Sequence, residues 1–150
     1  MIIISPYSRV MRNGKPNPKN YPSWLHVIGG LKDQRIVQVG IPGEARMVED
    51  FRSGLSLVDL RTLLAECETW ISVDNFFPHL AHHAAKPGVV LWGQSDPLVF
   101  GYPENRNLLK DRSHLRANQF DIWEAVEYNP LVFVEPQVVI QAVREVLDGG

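Results

Sequence analysis

Residues 71–97 constrain the fold more than any other part of the chain. They run Ile71-Ser-Val-Asp-Asn-Phe-Phe-Pro-His79-Leu-Ala, then, a few residues on, Pro87-Gly-Val-Val-Leu-Trp-Gly-Gln-Ser-Asp96-Pro97. This reads as a strand, a tight turn, a short helix, a second strand and a polar loop. In a parallel sheet, ligands bind just outside the carboxyl ends of the strands. Asp74 and Asn75 fall at such an end. The helix after them is expected to aim its free backbone N–H groups at whatever binds there, which favours an anion such as phosphate.

The rest of the sequence continues the alternation. Ile2-Ile3-Ile4 reads as a short buried strand, followed by a loop from Ser5 to Pro18 without apolar periodicity. Long loops of this kind are commonly functional or disordered. Asn20 is expected to cap a helix with Pro22 in its first turn and Trp24, Leu25 and Ile28 on one face. A strand over Arg35–Gly40 ends in the turn Gly40-Ile-Pro-Gly43. Ser56-Leu-Val-Asp59 has capping-box spacing and opens a helix through Leu60, Leu63 and Leu64. Thr69–Val73 and Gly88–Trp92 read as strands. Asn118–Val126 reads as an amphipathic helix with Trp123 in the core, Leu131–Val134 as a short strand, and Pro136 as the start of a helix carrying Val139, Val143 and Val146. Such alternation implies one α/β domain, Rossmann-like and three-layered, with a parallel sheet of about five strands.

Composition bounds the function. A chain of 150 residues fits one domain, and 45% hydrophobic with 21% charged content is ordinary for a globular protein. The net charge of −2 offers no broad basic surface, which disfavours nucleic-acid binding by charge. The cluster Lys110-Asp-Arg-Ser-His-Leu-Arg116 is diluted by Asp111 and reads as a solvated loop. Cys67 stands alone and reads as inert packing, so a disulfide within the chain is excluded and a reducing compartment is natural. No stretch approaches the about 20 apolar residues of a membrane span, and the opening Met-Ile-Ile-Ile lacks the basic lead-in of a signal sequence. A cytoplasmic, soluble protein without a cofactor is expected.

The ordered motifs resemble the carboxyl-terminal, donor-binding half of the heptosyltransferases, glycosyltransferase family 9, enzymes of the GT-B fold. Lys19-Asn-Tyr-Pro22 resembles the family's lysine and Trp-Pro after the first strand of that half. Gly40-Ile-Pro-Gly-Glu44 matches its Gly-x-x-x-Glu element, and Ser56-Leu-Val-Asp-Leu60 its Ser-Leu-x-Glu-Leu helix start. Asp74-Asn-Phe-Phe-Pro-His79, Lys86-Pro87 and Trp92-Gly-Gln-Ser-Asp96-Pro97 resemble its Asp-Thr-Gly-x-x-His, Lys-Pro and Phe-Gly-x-x-Asp-Pro. The likeness covers most of residues 1–100.

The resemblance implies a nucleotide or nucleotide diphosphate sugar as ligand and a glycosyl transfer to an acceptor. Lys19 would neutralise the diphosphate as leaving-group charge develops, with Asp74 beside it as the second catalytic candidate. Ser5 and Tyr7 would line the phosphate pocket, and Glu44 would accept from the ribose hydroxyls. Asp74, Asn75, Phe76 and His79 would face the phosphates, and Ser95, Asp96 and Asn105 are further candidate contacts. Plainer roles stand beside these: an exposed loop lysine, a charge at the start of a helix, and an Asp74 that caps one. Phe76 departs from the family's glycine and would either narrow the phosphate cradle or offer an aromatic face. His79 and His83 share a helix face at zinc-ligand spacing, but Leu80 stands where a His-Glu-x-x-His motif has glutamate, so no metal is expected. A full GT-B enzyme has an acceptor domain for which this chain has no room. A homodimer or partner chain closing over Asp74 and the Ser95–Asn105 loop is therefore expected. The other readings are a non-catalytic nucleotide-binding or sensing module and, further off, a nucleotide-processing hydrolase or base-transfer enzyme.

Overall fold

The computed structural model describes residues 1–149. In chain order the elements are β1 (Ile2–Ser5), α1 (Trp24–Gly30), β2 (Ile36–Gly40), β3 (Phe51–Ser53), α2 (Leu57–Glu66), β4 (Thr69–Val73), α3 (Phe77–His83), β5 (Val89–Trp92), α4 (Pro97–Phe100), β6 (Arg106–Leu109) and α5 (Pro136–Leu147). The six strands form one sheet in the order β3-β2-β1-β4-β5-β6, every neighbouring pair parallel. Beyond the first strand the chain builds outward through β2 and β3, then returns across β1 and builds the other way. The order therefore reverses between β1 and β4.

Strand alternation decides what each face buries. Ile2, Ile4, Ile71, Val73, Val89 and Leu91 share a core with Trp24 and Val27 of α1 and Val139 and Val143 of α5. The residues between them, Ile3, Trp70, Val90 and Trp92, with Val37 and Val39 of β2, pack on Leu60, Leu63 and Leu64 of α2 and Phe77 and Ala81 of α3. The sheet is thus covered on both sides, as parallel sheets require. Ser56 caps α2 by accepting from the Asp59 N–H at 3.1 Å. Gln38, wholly buried in β2, donates to the Ala45 carbonyl at 2.9 Å and accepts from the Met47 N–H at 2.7 Å. It fastens the loop that carries Glu44 to the sheet.

Several sequence expectations need correction. The sheet has six strands where about five were expected, Leu131–Val134 being absent from it and β3 and β6 added. Both are edge strands, short and rich in polar residues, so their apolar pattern is weak. Asn118–Val126 is not a helix but holds a 3-10 turn at Trp123–Ala125. Asn118 Oδ1 accepts from the Phe120 N–H at 3.1 Å and Asp121 Oδ1 from the Ile122 N–H at 3.0 Å, so local side chains outcompete the helix. Leu131–Val134 is not a strand, since residues 130–132 form another 3-10 turn. Val132, Phe133 and Val134 are nevertheless buried, with Tyr21 Oη donating to the Val134 carbonyl at 2.8 Å. Asn20 does not cap α1, which begins after Ser23; its Oδ1 accepts from the Ser8 N–H at 2.8 Å. Leu25 is exposed, and Trp24 with Val27 faces the core instead.

One close approach tests this packing. A Cβ on Gly88 would fall inside the buried Trp70 indole, whose Nε1 donates to the Lys86 carbonyl at 2.9 Å. Gly88→Ala is expected to lower stability by about 1–3 kcal/mol through overpacking. Urea denaturation checks this, and an unchanged midpoint would show that the ring moves aside freely.

Candidate functional site

A cleft of about 370 Å³ opens at the carboxyl ends of β1, β2 and β4, where the strand order reverses. That is the place at which open parallel sheets bind ligands. Ser5, Tyr7, Ser8 and Arg9 enter it from the end of β1, Asn17 and Lys19 from the following loop, and Gly40, Ile41 and Glu44 from beyond β2. Asp74, Asn75 and Phe76 come from beyond β4, and Trp123 closes one wall.

Asn75 builds the floor. Its Nδ2 donates to Ser5 Oγ at 2.9 Å and to the Tyr7 carbonyl at 3.1 Å. Its Oδ1 accepts from Ser72 Oγ at 3.0 Å and from the Phe77 N–H at 2.9 Å. The amide is saturated in both senses. Ser8 Oγ donates to the Asp74 carbonyl at 2.6 Å, a second tie between the two strand ends. Asn17, buried, donates to the Arg9 carbonyl and accepts from the Lys19 N–H, each at 2.9 Å, which orders the long loop and presents Lys19.

The charges are arranged in two groups. Lys19 Nζ lies 3.1 Å from Asp74 Oδ2, with both side chains largely buried, and over the Trp123 ring at 5.1 Å from its centroid. Across β1, the carboxylate of Glu44 folds over Gly40, where a Cβ would collide with Oε2. Glu44 Oε2 is buried without a hydrogen-bond partner, and burial raises the Glu44 carboxyl above its ordinary range. Burial raises the Tyr7 phenol too, with the Glu44 charge adding to it. A site with a carboxylate that keeps one oxygen without a partner beyond β2 and a lysine held on a carboxylate beyond β4 can accept hydroxyl donors on one side and meet an anion on the other.

The structure brings together Ser5, Tyr7, Lys19, Glu44, Asp74, Asn75 and Phe76 from the candidates read in the sequence. Others lie outside the cleft. His79 Nδ1 is bonded to Tyr102 Oη at 2.6 Å, while His82 stacks on that ring at 3.9 Å and pairs with Glu104. Asn105 Oδ1 accepts from the Gly88 N–H at 3.0 Å, near the opposite ends of the strands. Asp96 caps α4 and forms a two-pronged pair with Arg112 at 3.0 and 2.8 Å, and Ser95 is buried. The amino end of α3 is not the open anion cradle expected, since Asn75 occupies the Phe77 N–H and Pro78 has none. Among the described residues, no group of three or more His, Cys, Asp or Glu could hold a metal ion, and no helix is long and apolar enough to cross a membrane.

Ser8, Arg9, Asn17, Gly40, Ile41 and Trp123 were not singled out from the sequence as contacts. Asn17 left a signal, because Asn in a Pro-flanked loop orders its own backbone. Trp123 left a misleading one, since indole on a supposed amphipathic helix reads as core.

No protein-family model matches the sequence, and no curated protein sequence matches it. Solved structures do match in three dimensions. ADP-heptose lipopolysaccharide heptosyltransferase II of E. coli superimposes with a TM-score of 0.71 at 18% identity, over 99% of this chain and 46% of that one. A glycosyl transferase family 9 protein from Veillonella parvula DSM 2008 gives 0.72 at 19%, over 100% and 46%. The dodecameric iron-containing glycosyltransferase TibC from enterotoxigenic E. coli H10407 gives 0.61 at 16%, over 99% and 45%. The fold is that of one half of these enzymes. The resemblance seen in the sequence motifs therefore extends to the whole α/β domain, and the chain spans a little under half the length of those structures.

The raised Glu44 carboxyl makes stability depend on pH. Just above the ordinary Glu range the folded chain keeps a proton that the unfolded chain has released, so this residue's contribution to stability falls as pH rises through that window. Glu44→Gln should therefore raise the denaturation midpoint at neutral pH, with the gain shrinking as pH drops below the ordinary Glu range. A gain that is the same at every pH would separate it from the titration of Glu44.

Proposed function

We propose that this chain is the nucleotide-diphosphate-sugar-binding part of a glycosyltransferase, transferring a glycosyl group to an acceptor held by another surface. The observation that carries this reading is the cleft itself. It lies at the strand-order reversal, with Glu44 on the β2 side of β1 and the Lys19–Asp74 pair on the β4 side. The Glu44 carboxylate turns off Gly40 to accept hydrogen bonds from the ribose hydroxyls, so that Oε2, buried and without a partner in the free chain, gains a donor. Lys19 meets the diphosphate and stabilises the negative charge that grows as the glycosyl–oxygen bond breaks. Asp74 holds Lys19 in place through their ion pair. The solved neighbours support the donor class, since TibC was solved in complex with ADP-D-beta-D-heptose.

The acceptor side is completed by a second surface, and a second copy of this chain is our first choice. One observation favours the alternative, a module that binds a nucleotide without transfer: Lys19 is already neutralised by Asp74, so an incoming diphosphate must compete for it. A product assay with a bound nucleotide sugar separates the two.

Lys19→Ala is expected to weaken nucleoside diphosphate binding by about 1.5–3 kcal/mol, the worth of a charge-assisted contact. Titration calorimetry with ADP and UDP checks this. Equal affinities for variant and parent would remove Lys19 from the site.

A further inference from the structure

Three of the four tryptophans are core residues: Trp24, Trp70 and Trp92 are 1%, 0% and 2% exposed. Trp123 is different. It stands half-buried in the wall of the cleft, on a 3-10 turn in a segment without longer helix or strand. Its position is nonetheless fixed. The Arg116 guanidinium lies over the indole at 4.0 Å from the ring centroid. Arg116 is itself clamped, with Nε donating to the Asn118 carbonyl at 2.7 Å and Nη2 to that of Asp121. Gln119 Nε2 ties the segment to the Gln94 carbonyl at 3.0 Å, and Tyr128 Oη ties it to the Asn20 carbonyl at 3.0 Å. A large aromatic held out of the core and against a cleft is a recognition element in the making.

Strand order says which part of a ligand it meets. β2 and β4 flank β1 on opposite sides. Glu44 lies beyond β2, while Trp123 touches Lys19, whose ammonium rests on Asp74 beyond β4. A ligand with its ribose at Glu44 and its diphosphate at Lys19 therefore carries its next group toward Trp123. The Lys19 ammonium sits over the ring at 5.1 Å, near the outer limit of a cation–π contact. A diphosphate draws that ammonium toward its own charge and frees the ring face beside it.

We propose that Trp123 is the platform for the glycosyl group of the nucleotide sugar, the C–H face of the sugar ring stacking on the indole while its hydroxyls stay in water. This rests on the nucleotide-sugar reading of the cleft. Trp123 then sets selectivity between a nucleotide sugar and the bare nucleoside diphosphate left after transfer, and Arg116 acts as its positioning residue.

The test is titration calorimetry of the parent, Trp123→Ala and Trp123→Phe with two pairs of probes, ADP against ADP-heptose and UDP against UDP-glucose. The better-bound pair decides. Trp123→Ala should weaken the nucleotide sugar about tenfold more than its diphosphate, and Trp123→Phe should restore most of the difference. In the parent, tryptophan fluorescence should respond more to the sugar than to the diphosphate, and that excess should vanish in Trp123→Phe. An equal loss for both members of the pair would overturn the platform and leave Trp123 as a support for Lys19. Should Trp123→Ala fail to fold, a parent fluorescence response identical for sugar and diphosphate would overturn it equally. If the parent binds neither diphosphate, the nucleotide reading of the cleft falls, and the platform with it.

Discussion

The side chain of Asn75 holds the molecule's centre together. It joins the ends of β1 and β4, the two strands between which the sheet changes direction, through both its donors and both its acceptor positions. Everything in the cleft is placed relative to that knot. The loop leaving β1 is turned by the bond to the Tyr7 carbonyl, so that it passes Ser8 and Arg9 along the floor before Asn17 brings Lys19 back over Asp74. The same knot starts α3, because the Phe77 N–H ends on Asn75 Oδ1. On that side the half-buried amide of Asn75 leaves none of its hydrogen-bonding capacity unused.

This arrangement also shifts where a negative charge would be met. The amino end of a helix after a strand is the usual anion site in such folds, and here Asn75 and Pro78 have closed much of it. The positive partner is instead a side chain, Lys19, delivered by a loop. A point charge on a flexible stem can follow a ligand, where fixed N–H groups cannot. Glu44 complements it across β1 as a carboxylate held with an empty acceptor position.

The central strands were legible in the sequence because both of their faces are buried, leaving continuous apolar runs such as Ile2–Ile4 and Val89–Trp92. The edge strands β3 and β6 were not, since Phe51-Arg-Ser53 and Arg106-Asn-Leu-Leu109 mix polar and apolar residues. The segment from Asn118 to Val126 misled for another reason. Its apolar spacing suggests a helix, but Asn118 and Asp121 bond to nearby N–H groups and turn the chain in shorter steps. Ser5, Tyr7, Lys19, Glu44, Asp74, Asn75 and Phe76 could be read as neighbours because ordered motifs at strand ends converge in a parallel sheet. Trp123 belongs to no such motif and reaches the cleft through tertiary contacts alone. His79 drew attention by its spacing, yet Tyr102 holds it outside the cleft.

The place of β1 in the sheet has a consequence for how the chain folds. Its residues pair on one side with β2 and on the other with β4, where Ile2 meets Thr69 and Ser5 meets Ser72. The middle of the sheet is thus made from segments far apart in sequence, and closing so long a loop must precede the reward of burying Ile3 and Trp70. As this domain is synthesised, β2 gains β3 on its far side before β4 emerges, while β1 has β2 alone until then. Until then one ladder edge of β1 stays unpaired, and an unpaired apolar edge invites another chain. The strand that organises the finished molecule is the one that waits longest for its second neighbour.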